Sequence, residues 1–338
     1  MKLNTEQLKS VTTGAVRFEE TEFGLKLYRF TQEQLDFYSG DLERYIPRAL
    51  CSAGVVLRFV TDSERLFVEV YIEQGSTGTG FSMEILSNRH PVGEVTNMLP
   101  EEKGDYDGVK YPLGRFSKEV ELGAGEKQVE IYLPYNQITN LCELSLSEGA
   151  AFTPVKKEKK LMTWGDSITH GYYSTSPTAR YPKALCDYLE AEELCKAISG
   201  EIFRSGLAAL GDDYTPDYIT VAYGTNDWGS GWSAENIEKA CRGFAENLRK
   251  NYPDAPIFVI TPVWRKDKEP ERKAGSFEGV ADIIKRATKG VGNLYVIEGM
   301  PLIPQREDMF GDLRLHPNNE GFAHYGKNLV EEIKKLGF

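Results

Sequence analysis

The sequence predicts an all-β sandwich, jelly-roll-like, over residues 1–155, followed by an α/β domain with a parallel sheet over residues 156–338. Three observations carry this. The chain has 338 residues, which suits two domains at roughly 150 residues each. Short strand-like runs separated by Gly-rich turns fill the first half. Strand-like and helix-like segments alternate through the second.

In the first half, residues 55–60 form a mostly apolar run, and residues 66–73 are rich in β-branched and aromatic side chains. Residues 81–86, 120–122 and 129–133 follow, and 141–146 alternates with period two. Gly75-Ser76-Thr77-Gly78-Thr79-Gly80 and Gly123-Ala124-Gly125 supply turns. Residues 36–50 carry no readable pattern. The charge run 156–160 is a solvated linker or the edge of the next strand. Beyond it, a strand at 161–164 enters a Gly-Asp-Ser turn. A helix at 182–193 and a strand at 194–198 come next, then a buried strand at 218–223. A helix opens at Ser233 or Ala234 and runs to Asn251. A strand at 256–260, a helix at 276–289, a strand at 294–297 and a helix at 319–336 complete the chain. Such alternation implies a parallel sheet covered on both faces, with its site beyond the C-terminal strand ends.

Composition excludes several functions. Lys and Arg total 40 against 51 Asp and Glu, a net charge of −11. A chain this acidic is a poor ligand for nucleic acid or anionic membrane. No apolar run approaches the roughly 18 residues of a membrane-spanning helix. The segment MKLNTEQLKSVTTGAV lacks the apolar stretch of a signal peptide, so a cytoplasmic protein is expected. The five cysteines are scattered without a CxxC pair and read as free thiols. There is no phosphate-binding GxxxxGK[ST], no complete dinucleotide fingerprint, no HExxH and no G-x-S-x-G elbow. Neither a cofactor nor a metal is expected.

Four short motifs remain, each at a junction in the second half. Gly165-Asp166-Ser167-Ile168-Thr169 follows a predicted strand and opens a helix, where free N–H groups favour developing negative charge. That suits an attacking serine and its oxyanion, and equally a plain capped turn. Ile198-Ser199-Gly200-Glu201 offers an N–H with no side chain in front of it. Gly224-Thr225-Asn226-Asp227 offers a side-chain amide. His316-Pro317-Asn318, with Asp312 four residues earlier, sits in the loop before the last helix. Pro317 keeps His316 extended, and a loop histidine there can accept and return a proton.

In order and in content, the four blocks resemble those of the SGNH, or GDSL-type, hydrolases. The resemblance covers residues 156–338 and implies a flavodoxin-like three-layer α/β/α fold. It implies Ser167 as nucleophile and His316 as general base. It also implies an oxyanion hole built from the N–H groups of Ser167 and Gly200 and the amide of Asn226. One departure stands out. The family usually places its acid three residues before the histidine, where this chain has Leu313. Either Asp312 reaches His316 across a bulged loop, or the site is a Ser–His dyad oriented by a carbonyl.

A β domain before such a hydrolase resembles the layout of family 2 carbohydrate acetyl esterases. The expectation is therefore a serine esterase that removes acetyl or other short acyl groups from a sugar or oligosaccharide. A lysophospholipase or thioesterase is the alternative with the same chemistry, and a non-catalytic carbohydrate-binding protein the alternative without it. Trp228, on the loop after Asn226, is a candidate to pack against a sugar ring. His170, one turn beyond Ser167, is a weaker candidate for a substrate contact. The sequence is silent on oligomeric state.

Overall fold

The computed structural model describes residues 1–99 and 110–338. The first-half strands are β1 (Thr12–Thr13), β2 (Arg17–Thr21), β3 (Gly24–Tyr28), β4 (Val56–Thr61), β5 (Arg65–Glu73), β6 (Ser82–Ser87), β7 (His90–Thr96), β8 (Gly114–Glu121), β9 (Lys127–Tyr132), β10 (Ile138–Leu146) and β11 (Thr153–Pro154). They build two antiparallel sheets. One runs β1-β4-β9-β6-β7 with β11 paired to β4, the other β2-β3-β10-β5-β8. Along β5, Leu66, Val68, Val70 and Ile72 are buried while the residues between them are half-buried. They share one core with Phe59, Ile85 and Ile131 of the other sheet. This is the sandwich that the period-two patterning predicts.

The sequence reading finds none of β1, β2, β3, β7 and β11, and only the end of β8. Of these, β2, β7 and β8 are edge strands of their sheets. Their side chains are mostly exposed or half-buried, so they carry no hydrophobic alternation to read. After α1 (Thr5–Val11), the unreadable stretch proves to be short helical turns: α2 (Gln32–Asp36), a 3₁₀ turn at Gly40–Tyr45 and α3 (Ile46–Ala49). Leu35, Tyr38, Tyr45 and Ala49 join a core that contains Trp164, Phe203 and Tyr223 of the second half.

The second half is a three-layer α/β/α fold. Its strands are β12 (Lys159–Gly165), β13 (Ala191–Cys195), β14 (Tyr218–Ala222), β15 (Ile257–Ile260) and β16 (Leu294–Ile297). All pair in parallel, in the order β13-β12-β14-β15-β16. That is the flavodoxin-like order, whose direction of winding reverses next to its first strand. The helices are α4 (Ser167–His170), α5 (Tyr181–Tyr188), α6 (Ser205–Ala209), α7 (Thr225–Gly229), α8 (Ala234–Asn251), α9 (Gly279–Thr288) and α10 (Asn319–Lys335). Along α8, Ile237, Cys241, Phe244, Ala245 and Leu248 are buried, a single stripe at helical spacing. They form one core with α6 and α9, while α5 and α10 share a second core with Phe258 and Ile260.

One boundary moved. The helix expected over 182–193 stops at Tyr188. Glu190 takes a left-handed φ of 50°, and β13 begins at Ala191. Glu192 and Glu193 look like helix-surface residues in sequence but are buried. Arg180 grips Glu193 through Nη1 (3.1 Å) and Nη2 (3.0 Å), and the Thr163 hydroxyl donates to it at 2.7 Å.

A buried arginine ties the two halves together. Arg29, just beyond β3, donates from Nε to the Cys51 carbonyl (2.5 Å). Its Nη1 reaches the carbonyls of Cys195 (2.6 Å) and Ala197 (3.1 Å), and its Nη2 those of Arg48 (2.9 Å) and Ala49 (3.3 Å). Beside it, the fully buried Lys196 ammonium donates to the Arg29 carbonyl (2.6 Å) and to Gln34 (2.8 Å), and pairs with Asp212 at 2.8 Å. Burial pulls the Lys196 pKa down to about 8, against the attraction of Asp212. Removing the Arg29 guanidinium would strand several buried carbonyls. Arg29→Met is therefore expected to lower stability by at least about 3 kcal/mol, with Arg29→Lys recovering part of the loss. Urea unfolding of the three proteins checks this.

Candidate active site

The site is built at the C-terminal ends of β12, β13 and β14. The chain leaves β12 through Gly165, where a Cβ would lie 2.1 Å from Thr169 Oγ1, so only glycine fits. Asp166 then caps α4: its Oδ1 accepts from the Ile168 N–H at 2.9 Å. This turn leaves Ser167 as the first helical residue. Burial raises the Asp166 carboxyl to about 7, in opposition to the hydrogen bond from Ile168.

The structure brings Ser167, His316 and Asp312 together. Ser167 Oγ lies 2.9 Å from His316 Nε2, and His316 Nδ1 lies 2.8 Å from Asp312 Oδ2. The extra residue between acid and base is absorbed locally. Leu313 takes a left-handed φ of 54°, which folds the chain back on itself. Asp312 Oδ1 then accepts the N–H groups of Arg314 (3.0 Å), Leu315 (2.7 Å) and His316 (3.0 Å). One oxygen thus organises the loop while the other faces the imidazole. Partial burial would raise the Asp312 pKa. The hydrogen bonds from the His316 ring and the Leu315 N–H outweigh it and hold this carboxyl well below the usual carboxylate range. The imidazole stacks on Tyr173, with ring centroids 5.4 Å apart and 15° between planes.

Gly200 and Asn226 face one another across the β13 and β14 loops. Gly200 has a φ of 83° and is exposed. Asn226 Nδ2 donates to the Glu201 carbonyl at 2.9 Å. Asp227, fully buried, accepts from the Gly224 N–H (3.0 Å) and the Phe203 N–H (3.1 Å). Burial raises its carboxyl to about 7 despite these donors. The first half holds the same loop from the other side. The Tyr45 hydroxyl donates to the Gly200 carbonyl (3.2 Å), and that of Tyr38 to Glu201 Oε2 (2.7 Å).

Two expectations about substrate contacts change. Trp228 is fully buried. It packs on Phe277 at 5.2 Å, and its indole N–H is used on the Gly275 carbonyl at 3.0 Å. Neither face is open to a sugar, and Trp232 lines the cleft instead. His170 is also buried and turned away from the cleft. Its Nε2 lies 2.7 Å from the Tyr135 carbonyl, and its Nδ1 accepts the Ser199 N–H at 3.2 Å. Burial, with Arg29 and Arg180 nearby, keeps the His170 pKa well below its ordinary value. The ring is thus a neutral strut behind the Gly200 loop. Its position one turn after Ser167 suggested a substrate contact, and nothing in the sequence pointed to this role.

Beside Gly200 and Asn226 opens a cleft of about 610 Å³. Among the described residues, no group of three or more His, Cys, Asp or Glu side chains is arranged to hold a metal ion. The five cysteines are free, and Cys51, Cys186, Cys195 and Cys241 are buried. No helix among the described residues is long and apolar enough to cross a membrane.

Residues 163–324 match the GDSL-like Lipase/Acylhydrolase family. The match spans the second half from within β12 to within α10. Solved structures resemble the chain over both halves. A salicylyl-acyltransferase from a tetracycline biosynthetic pathway is 21% identical with a TM-score of 0.79, over 97% of this chain and 95% of that one. A GDSL-like lipase from Bacteroides ovatus is 19% identical with a TM-score of 0.76, over 99% and 97%. A family 2 carbohydrate esterase from Clostridium thermocellum, in complex with cellohexaose, is 16% identical with a TM-score of 0.65, over 96% and 99%. Likenesses at these identities establish the shared fold. No curated protein sequence matches the chain.

The buried carboxyls of this site have a pH signature. In the native state Asp166 and Asp227 keep a proton up to about 7. In the unfolded chain they lose it near pH 4, as about 3.9 is usual for aspartate. Between those values the native state binds more protons, so stability falls as pH rises from about 4 to 7. Asp166→Asn, whose Oδ1 can still accept from Ile168, is expected to show a shallower fall. Urea midpoints at pH 4.5 and 7.5 measure it, and an unchanged difference would show that Asp166 ionises normally.

Proposed function

We propose that this protein is a serine esterase that removes acetyl or other short acyl groups from carbohydrate. The observation that carries it is the continuous chain from Asp312 Oδ2 through His316 to Ser167 Oγ, at 2.8 and 2.9 Å. In this reading Ser167 attacks the ester carbonyl while His316 Nε2 takes its proton. Asp312 holds the ring with Nδ1–H towards itself and stabilises the imidazolium. The tetrahedral oxyanion is met by the N–H groups of Ser167 and Gly200 and by Asn226. One amide hydrogen of Asn226 is held by Glu201, and the other is free to serve the oxyanion. The alcohol leaves with the His316 proton. Water then repeats the sequence on the acyl-enzyme.

Carbohydrate as the alcohol is supported by the likeness of both halves to a family 2 carbohydrate esterase crystallised with cellohexaose. A second reading is acyl transfer, favoured by the likeness, again over both halves, to a salicylyl-acyltransferase. The chemistry to the acyl-enzyme is the same, and an alcohol then replaces water as acceptor.

The test compares p-nitrophenyl acetate, butyrate and octanoate. Acetate is expected to be the best of the three, and Ser167→Ala to abolish its turnover. Asp312→Asn is expected to lower kcat by about 10³–10⁴, since it disturbs the tautomer the base needs. Activity within a few fold of wild type would instead assign a Ser–His dyad. Asn226→Ala is expected to cost roughly 10²–10³ in kcat, as losing one oxyanion donor does. Preference for octanoate would move the reading to lipids or thioesters. Glycan binding without turnover of any ester would favour a non-catalytic binding protein. Faster release of nitrophenol on adding a sugar alcohol, with the acylated sugar as product, would favour transfer.

A further inference from the structure

The chain carries a net charge of −11, yet the cleft beside Gly200 and Asn226 is lined by Arg44, Arg204, Arg265, Arg272 and Arg314. Asp267 is the one carboxylate in that lining. It is already committed: it pairs with Arg265 (2.7 Å) and Arg314 (3.2 Å), and the Arg265 hydrogen bonds hold its pKa below the ordinary value. Behind the wall, buried Glu201 pairs with Arg204 at 2.7 Å. Two carboxylates therefore face five guanidinium groups. Arg44 and Arg272 have no carboxylate in ion-pair reach among the described residues.

Arg272 and Arg44 are held by groups other than carboxylates, and Arg265 has such a partner besides Asp267. Arg272 donates to the Gly229 carbonyl at 2.6 Å and lies over the Trp228 ring at 4.2 Å. Arg265 has a 6% exposed side chain and donates to Thr225 Oγ1 at 3.1 Å. Arg44 rests over the Tyr45 ring at 5.1 Å. A guanidinium fixed by stacking and by a backbone carbonyl keeps free donors in a rigid fork that fits carboxylate or phosphate. Because it is ordered beforehand, little conformational entropy is lost on binding. An ordinary solvated surface of an acidic protein would show the opposite sign and looser side chains.

We infer that this cleft is an anion subsite and that the native substrate is an acyl ester whose alcohol part carries a carboxylate or a phosphate. The inference rests on the esterase reading of Ser167 and deepens it. Arg44 and Arg272 are the specificity-determining residues, since neither is committed to an ion pair among the described residues. Trp232 lines the same cleft.

The test uses three matched acetyl esters: of methyl glucoside, of methyl glucuronide and of glucose phosphate. Their kcat/KM is measured at 20 and 300 mM NaCl. At low salt one of the anionic esters is expected to exceed the neutral one by tenfold or more, and the preference to shrink at high salt. Which of the two leads tells carboxylate from phosphate. Arg272→Gln and Arg44→Gln are each expected to lower the anionic-to-neutral ratio several fold. A neutral ester that is turned over as well as both anionic ones at low salt would overturn the inference. Calorimetric titration with free glucuronate, glucose phosphate and glucose keeps it open to refutation if no ester is turned over. Anion binding weakened in Arg272→Gln would sustain the subsite while the esterase reading fell. Binding of neither anion would remove the subsite as well.

Discussion

The fold hangs on a charge buried where water cannot reach it. Taking a guanidinium out of water is expensive unless nearly every N–H finds an oxygen. Arg29 meets this condition by converging carbonyls from two places, the 48–51 turn of the first half and the 195–197 segment beyond β13. The segment it holds leads directly into Ser199 and Gly200. The geometry of the Gly200 loop is therefore set partly by a residue from the end of a β-hairpin far away in sequence. Tyr38, Tyr45 and the His170 strut, which leans on the Tyr135 carbonyl, act on the same loop from the same side. The first half thus shapes the site without supplying any atom of the Ser–His–Asp chain.

The loop that carries His316 solves a different problem. A carboxylate four residues before a histidine would overshoot in an ordinary extended loop. The left-handed Leu313 shortens the path, at about 1–2 kcal/mol of local strain. Three N–H donors on Asp312 Oδ1 offset that strain and keep the carboxylate charged. The side chain that organises the loop is the one that holds the His316 ring, so folding of the loop and assembly of the Ser167–His316–Asp312 chain are the same event.

Much of this was legible in the sequence. Parallel strands such as β14 and β15 are apolar throughout because both faces are covered, and α8 and α10 advertise their cores through helical spacing. The positions of Ser167, Gly200, Asn226 and His316 followed from the order of four short blocks. What was not legible has physical reasons. The edge strands β2 and β7 face solvent and carry no pattern. The buried pair Arg180–Glu193 and the strut His170 are polar in sequence and satisfied only by partners distant along the chain. Trp228 stands on the right loop, but the loop turns its ring inward, where Arg272 and Phe277 sandwich it. A bulged loop between Asp312 and His316 was one of two readings the spacing allowed, but its seat at Leu313 was not legible, because left-handed backbone is rarely announced by a leucine.

The 3₁₀ turn Gly40–Tyr45 places Arg44 and Tyr45 on the wall of the cleft, yet it belongs to a stretch without regular pattern between two sheets. Most of its residues, Arg44 among them, are exposed, while Tyr45 is buried in the core with Trp164. Part of the arginine lining of the cleft thus sits on a piece of chain that carries neither Ser167 nor His316. An ancestral hydrolase with this layout could change diet by drift in a six-residue surface turn, while the chemical step stayed under its own, much stricter, selection.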